Sequence, residues 1–285
     1  MQAEGILLNN SVVMPLLGFG TWKIAEGAPI IEATNFALEA GYRLFDTAKL
    51  YENEKGLGNA LLSSGFDRDE YFVTSKVWNS DQGYEATLKA FDVSLKNTGL
   101  DYLDAYLIHW PMPRTQKFIE TWKALEKLYE EGLVRVIGVA NFHIHHLDLL
   151  LQAANIVPML NQVECHLGLQ QQALLSYCQK HQIVMQAWRP LAKAADVLVN
   201  HPIVTDIARK HRKTPAQLML AYLVERGIGV IPKSTHPERI KENADIFDFQ
   251  ITPTQMAELA TLEGSIPRLG VDPEDFHDTV YVARN

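Results

Sequence analysis

The sequence predicts an α/β fold of the (β/α)8 TIM-barrel type. Three observations point there. Eight short apolar runs recur along the chain, each suited to a strand buried on both faces of a parallel sheet. Helical patterns separate them, giving eight strand–helix units in a length that suits a barrel. A doubly wound open sheet is the alternative, and it wants a glycine-rich phosphate turn after the first strand. Here that strand runs into Gly18-Phe19-Gly20-Thr21-Trp22, without the third glycine or the spacing.

Taken in order, Leu7-Leu8 and Val12-Val13-Met14 flank Asn9-Asn10-Ser11 and read as a small hairpin. The strands follow at Leu16–Gly20, Tyr42–Asp46, Tyr71–Val77, Leu103–His109, Val134–Val139, Pro158–Val163, Ile183–Trp188 and Gly229–Pro232. Tyr84, Leu88, Phe91 and Leu95 step by helical intervals, as do Phe118, Trp122, Leu125 and Tyr129. Gly41, Gly99, Gly132 and Gly227 fall just past helical segments, where a C-terminal cap favours glycine. Asn53 marks a helix start, and Thr214-Pro215 opens another with a capping residue and a proline in the first turn. No linker or low-complexity stretch interrupts the series, so residues 1–285 read as one domain.

Composition narrows the function. Against 34 Asp+Glu stand 26 Lys+Arg, a net charge of -8 that argues against a nucleic-acid surface. No apolar run approaches the roughly 18 residues of a membrane span, and the N-terminus has no signal-peptide pattern. Cys165 and Cys178 form no metal-ligand pattern, so a reduced cytoplasmic setting is expected. His143, His145 and His146 invite a metal reading, but their spacing brings no supporting carboxylate or cysteine, and no metal is expected.

A barrel gathers its chemistry at the carboxyl ends of its strands. Those ends carry Gly20-Thr21-Trp22, Asp46 with Tyr51 beyond it, Lys76-Val77-Trp78, His109-Trp110-Pro111, Ala140-Asn141, Asn161-Gln162, Trp188-Arg189 and Lys233-Ser234. A carboxylate at the end of a buried strand is costly unless paired. Asp46 would keep Lys76 charged, and Lys76 would lower the pKa of Tyr51. A tyrosine so tuned can protonate a carbonyl oxygen that His109 orients. That set suits carbonyl reduction.

At these residues the chain resembles the aldo-keto reductase superfamily over essentially its whole length. Gly41–Ala48 followed by Glu54 and Leu57-Gly58 matches one signature, Leu107–Pro111 a second, and Ile231-Pro232-Lys233-Ser234 with Arg239 and Glu242-Asn243 a third. The resemblance implies a barrel whose bottom is closed by the N-terminal β-hairpin and whose active-site face is covered by a C-terminal loop. It implies a catalytic tetrad of Asp46, Tyr51, Lys76 and His109, with Tyr51 as proton donor. It implies NADPH/NADP+ along the rim: Gly20, Thr21 and Asp46 beside it, Asn141 and Gln162 on the carboxamide, and Trp188 stacked on the nicotinamide. Lys233, Ser234 and Arg239 would clamp the 2′-phosphate, with Thr235 among the cofactor-binding residues and Glu242 and Asn243 near the adenine. Two positions depart from the family. Ala140 stands where Ser is common, and Arg189-Pro190-Leu191 replaces Ser-Pro-Leu, whose serine meets the cofactor pyrophosphate.

Trp22, Trp78 and Trp110 are expected to wall the substrate pocket beside Tyr51 and His109. The short loop Pro111–Gln116 leaves that pocket open. The tail Arg268–Phe276 resembles that of bacterial 2,5-diketo-gluconate, methylglyoxal and aldehyde reductases, so small aldehydes, ketones and α-dicarbonyls are the expected substrates. The subgroup implies a monomer. A regulatory or structural member with little turnover is the alternative. A metal-dependent barrel hydrolase is disfavoured, because strand 1 offers no ligand.

Overall fold

The structure is a computed structural model and describes residues 4–277. Two antiparallel strands, β1 (Gly5–Leu7) and β2 (Val13–Pro15), form the predicted hairpin. The barrel strands are β3 (Phe19–Gly20), β4 (Leu44–Asp46), β5 (Phe72–Val77), β6 (Leu103–Ile108), β7 (Val134–Ala140), β8 (Leu160–Glu164), β9 (Val184–Trp188) and β10 (Gly229–Val230). Each pairs in parallel with the next. The ring closes between first and last: Leu17 bridges Val230, Val230 N–H donates to Leu16 O at 2.7 Å, and Gly18 N–H donates to Val230 O at 2.8 Å. The barrel expectation holds, and the open-sheet alternative does not.

The outer strands are shorter than the apolar runs that encode them. β10 stops at Val230 because Pro232 has no N–H for a ladder. The helices between the strands include Ala28–Glu39, Glu54–Leu62, Tyr84–Thr98, Phe118–Glu130, Ile144–Ala153 and Pro215–Glu225. Thr214 Oγ1 accepts the Gln217 N–H at 3.2 Å, the N-cap its sequence announces. Gly99, directly after Tyr84–Thr98, adopts φ +69°, the left-handed cap that a Cβ would disfavour. Among the described residues no helix is long and apolar enough to cross a membrane.

The hairpin lies over the amino ends of the strands. Asn9 Nδ2 donates to Pro158 O just before β8, and Asn10 Nδ2 to Arg135 O at the start of β7. Met14 is fully buried beneath it. At the opposite end the chain after Glu263 crosses the rim, where the buried Glu164 carboxylate accepts the Leu269 and Gly270 N–H groups at 2.6 and 2.7 Å. The two ends therefore differ in kind: one is plugged by apolar packing, the other is polar and covered by a loop.

Candidate active site

Strand register builds the site. Asp46 pairs with Thr74, and Lys76 is two residues further along β5. The two-residue repeat of a strand puts both side chains on the barrel interior, one step apart. Lys76 Nζ donates to Asp46 Oδ1 at 2.7 Å, to Thr47 O at 3.0 Å and to the Tyr51 hydroxyl at 3.4 Å. Gln162 Nε2 donates to Asp46 Oδ2 at 2.7 Å and Gln186 Oε1 at 2.8 Å. The Tyr51 and His109 rings meet edge to face with centroids 5.7 Å apart. Asp46, Tyr51, Lys76 and His109, drawn from four different segments, thus converge.

Burial governs their protonation. It raises the Asp46 carboxyl and lowers the Lys76 ammonium, while the contact between them opposes both shifts. Burial, then the charge of Lys76, holds His109 well below its usual value, so the imidazole is neutral. Tyr51 corrects the sequence-based expectation. Its phenol is raised well above 10.0, first by burial and then by Asp46, with Arg189 alone pulling it down. The Asp46 charge, 2.7 Å from Lys76, offsets the pull of the lysine on the phenol, and burial sets the net upward shift. Tyr51 is therefore a held proton.

The rim residues expected to meet a cofactor divide into two groups. Several are engaged inside the protein. Thr21 Oγ1 donates to Asp46 O at 2.9 Å, and the Gly20 N–H to Pro232 O at 3.1 Å. Asn141, at φ +65°, donates from Nδ2 to His109 O and accepts the Trp188 Nε1–H, both at 2.9 Å. Glu242 accepts the Thr214 hydroxyl, and Asn243 is buried. The Asn141 and Gln162 amides thus brace Trp188 and Asp46, a role the sequence did not indicate.

The second group offers cationic or donor groups outward. Lys233, Thr235 and Arg239 are exposed around the buried Ser234, near the start of the helix Pro237–Ala244. Partial desolvation lowers the Lys233 ammonium. Arg189 lies with its guanidinium 5.1 Å from the Trp188 ring centroid, and one terminal nitrogen is buried without a partner. Pro190 is buried and Leu191 half-buried beside it, and Ala140 is buried with no hydroxyl to offer.

The three tryptophans frame the same spot. Trp22 packs on Tyr51 at 4.7 Å and Trp78 on His109 at 5.2 Å, while Trp110 stacks 6.4 Å from His109. Sequence reasoning missed a fourth aromatic. Phe276 lies 4.3 Å from Trp110 and 6.0 Å from Trp78, and no motif signals it because it comes from the tail. Gly270 presses on Trp188 so closely that a Cβ would fall 2.5 Å from the indole edge. The tail also corrects the reading of the histidine run. Glu274 supplies the carboxylate thought absent, and its oxygen with nitrogens of His145 and His146 lie within 4.8 Å of one another.

Comparison with known proteins adds the following. A model of the aldo/keto reductase family matches residues 16–196 and 198–263. The chain is 49% identical over 273 residues, 95% of each chain, to the 9,11-endoperoxide prostaglandin H2 reductase of Trypanosoma cruzi. It is 46% identical over 272 residues to the glyoxal reductase of Bacillus subtilis, covering 95% of this chain and 97% of that one. It superposes with TM-score 0.89 and 34% identity on an aldo-keto reductase of Bombyx mori solved in complex with NADP, over 97% of this chain and 98% of the other.

Proposed function

The chain belongs to the aldo/keto reductase family, and we propose that it uses NADPH to reduce small aldehydes, ketones and α-dicarbonyls of the glyoxal type to alcohols. The observation that carries this reading is the neutral Tyr51 phenol beside a neutral His109 imidazole, above a buried Lys76–Asp46 pair. The similarity to a glyoxal reductase and to an NADP complex supports the substrate class and the cofactor.

The residues present fit the cofactor. A buried guanidinium nitrogen of Arg189 lacks an anion, which a diphosphate would supply. Lys233, Ser234, Thr235 and Arg239 offer cations and hydroxyls at a helix start, suited to a 2′-phosphate. Trp188, held by Asn141, presents an indole for a nicotinamide ring. When bound, reduced nicotinamide supplies a hydride.

The chain's own residues do the rest. His109, neutral, donates a hydrogen bond that orients the substrate carbonyl oxygen. Tyr51 gives its proton to that oxygen as negative charge builds there. Lys76, at hydrogen-bond distance, then stabilises the phenolate left behind, and Asp46 keeps the lysine in place. The charge of Lys76 thus acts where it is needed, on the developing anion. Trp22, Trp78 and Trp110 exclude water and admit a small carbonyl compound. We extend the reading to a single-domain cytoplasmic monomer, supported by one continuous core and two free, buried cysteines.

The test is NADPH oxidation with methylglyoxal and an aromatic aldehyde, comparing wild type with Tyr51→Phe. Turnover that vanishes in the variant while NADPH still binds is the expected result. Cofactor binding without turnover on any carbonyl would favour the regulatory alternative. No NADPH binding would overturn the reading.

A further inference from the structure

We infer that His143, His145 and His146 form a latch for the C-terminal tail, positioning Phe276 in the substrate-pocket wall and so setting which carbonyls are accepted. The inference rests on the proposed reductase activity. His143 begins the approach to the helix Ile144–Ala153, and all three imidazoles face one turn of the tail. His143 Nε2 lies 3.2 Å from Asp272 Oδ1, and His145 and His146 Nε2 lie 2.7 and 3.1 Å from Glu274 Oε1. The turn is fixed internally, since Asp272 Oδ1 accepts the Glu274 N–H and Asp272 O the Asp275 N–H, each at 3.0 Å. Phe276 follows two residues later against Trp110 and Trp78.

A second anchor lies upstream. Glu164 holds Leu269 and Gly270, with His166 Nε2 3.3 Å from the same carboxylate. That anchor fixes where the tail meets Trp188 but leaves five residues, 271–275, before Phe276. The histidine contacts close that gap. Arg268 also faces the turn, 3.6 Å from Asp272 Oδ2.

The latch works through direct contact and not through a bound cation. His146 is buried, and its Nδ1 accepts the His143 backbone N–H at 3.1 Å. A neutral His146 then carries its proton on Nε2, which lies 3.1 Å from Glu274 Oε1 without hydrogen-bond geometry, and a protonated nitrogen is not a metal ligand. Burial and the neighbouring His145 and His143 hold its pKa down at about 3, so it is neutral at physiological pH. His145 and Glu274 are about half exposed, so each pair is weak alone. Three contacts on one preformed turn define its place.

The experiment compares wild type, His145→Ala, Glu274→Gln, Phe276→Ala and the double variants with Phe276→Ala. Hydrogen exchange at the amides of residues 270–276 reads docking directly, and steady-state kinetics with methylglyoxal and a bulky aromatic aldehyde read the consequence. The latch predicts faster exchange in His145→Ala and Glu274→Gln. It also predicts a roughly two- to five-fold rise in KM for the small substrate with kcat held. The KM effect disappears once Phe276 is already Ala. Unchanged exchange in both single variants overturns the latch, as do KM effects that simply multiply with that of Phe276→Ala. Exchange protection lost on chelation and restored by Zn2+ also overturns it, in favour of a metal site. A wild type without carbonyl reduction would sink the activity reading, while exchange would still decide the latch.

Discussion

Lys76 Nζ stands 3.4 Å from the Tyr51 hydroxyl while its full ion-pair contact, at 2.7 Å, goes to Asp46. The lysine is committed to the carboxylate before reaction and available to the phenolate after it. Replacing Lys76 by Met removes that stabilisation and leaves a buried carboxylate unpaired. We expect reduction to fall by orders of magnitude and stability by about 3–5 kcal/mol. Adding Asp46→Asn should restore much of the stability and none of the activity. Urea denaturation beside NADPH turnover checks both, and a single variant as stable as wild type would contradict the pairing.

The protonation states make a pH prediction. Tyr51 donates from its acid form, and its raised pKa keeps that form present above 10.0. His109, lowered well below 6.5, stays neutral through the same range. The rate of the reductive step should therefore be flat between about pH 7 and pH 9. A single-turnover profile with a pKa near neutrality would contradict the assignment.

Stability should follow the opposite course on acidification. His146 titrates near 6.5 when unfolded and at about 3 when folded. Below the unfolded value the unfolded chain binds more protons, so stability is lost as pH falls from about 6.5 towards 3. Denaturation midpoints measured across that window should decline, and less steeply in His146→Gln.

Arg189 replaces a serine common in the family and carries a buried nitrogen without a partner. If it meets the cofactor diphosphate, Arg189→Ser should raise the NADPH dissociation constant about ten-fold and flatten its salt dependence. Tryptophan fluorescence titration at two ionic strengths measures both. Equal affinity and equal salt response in the two proteins would assign Arg189 elsewhere.

Gly58 gives a purely structural test. A Cβ there would lie 1.9 Å from Thr98 O, where the helix Glu54–Leu62 crosses the end of Tyr84–Thr98. Backbone cannot yield as a side chain does, so Gly58→Ala should cost about 3 kcal/mol or more. A melting temperature unchanged from wild type would refute that close approach.

The sequence by itself determined the eight-unit barrel, its polar rim and the identity of the four converging residues. Short apolar runs and helix caps are local signals, and a strand's end is visible wherever a polar residue follows a buried run. Asp46, Lys76 and His109 were legible for that reason. What the sequence could not determine is how distant segments share a group. Tyr51 looked acidified when only its neighbour in the motif was counted. In the structure Asp46 offsets the charge of Lys76 and leaves burial to dominate. Asn141 and Gln162 are expected cofactor contacts, and the structure adds that their amides hold Trp188 and Asp46. Glu274 lies 128 residues beyond His146 and meets it only because the tail returns across the rim. Only the tertiary structure decided those pairings, because burial and electrostatics depend on distance in space, and chain separation does not reveal it.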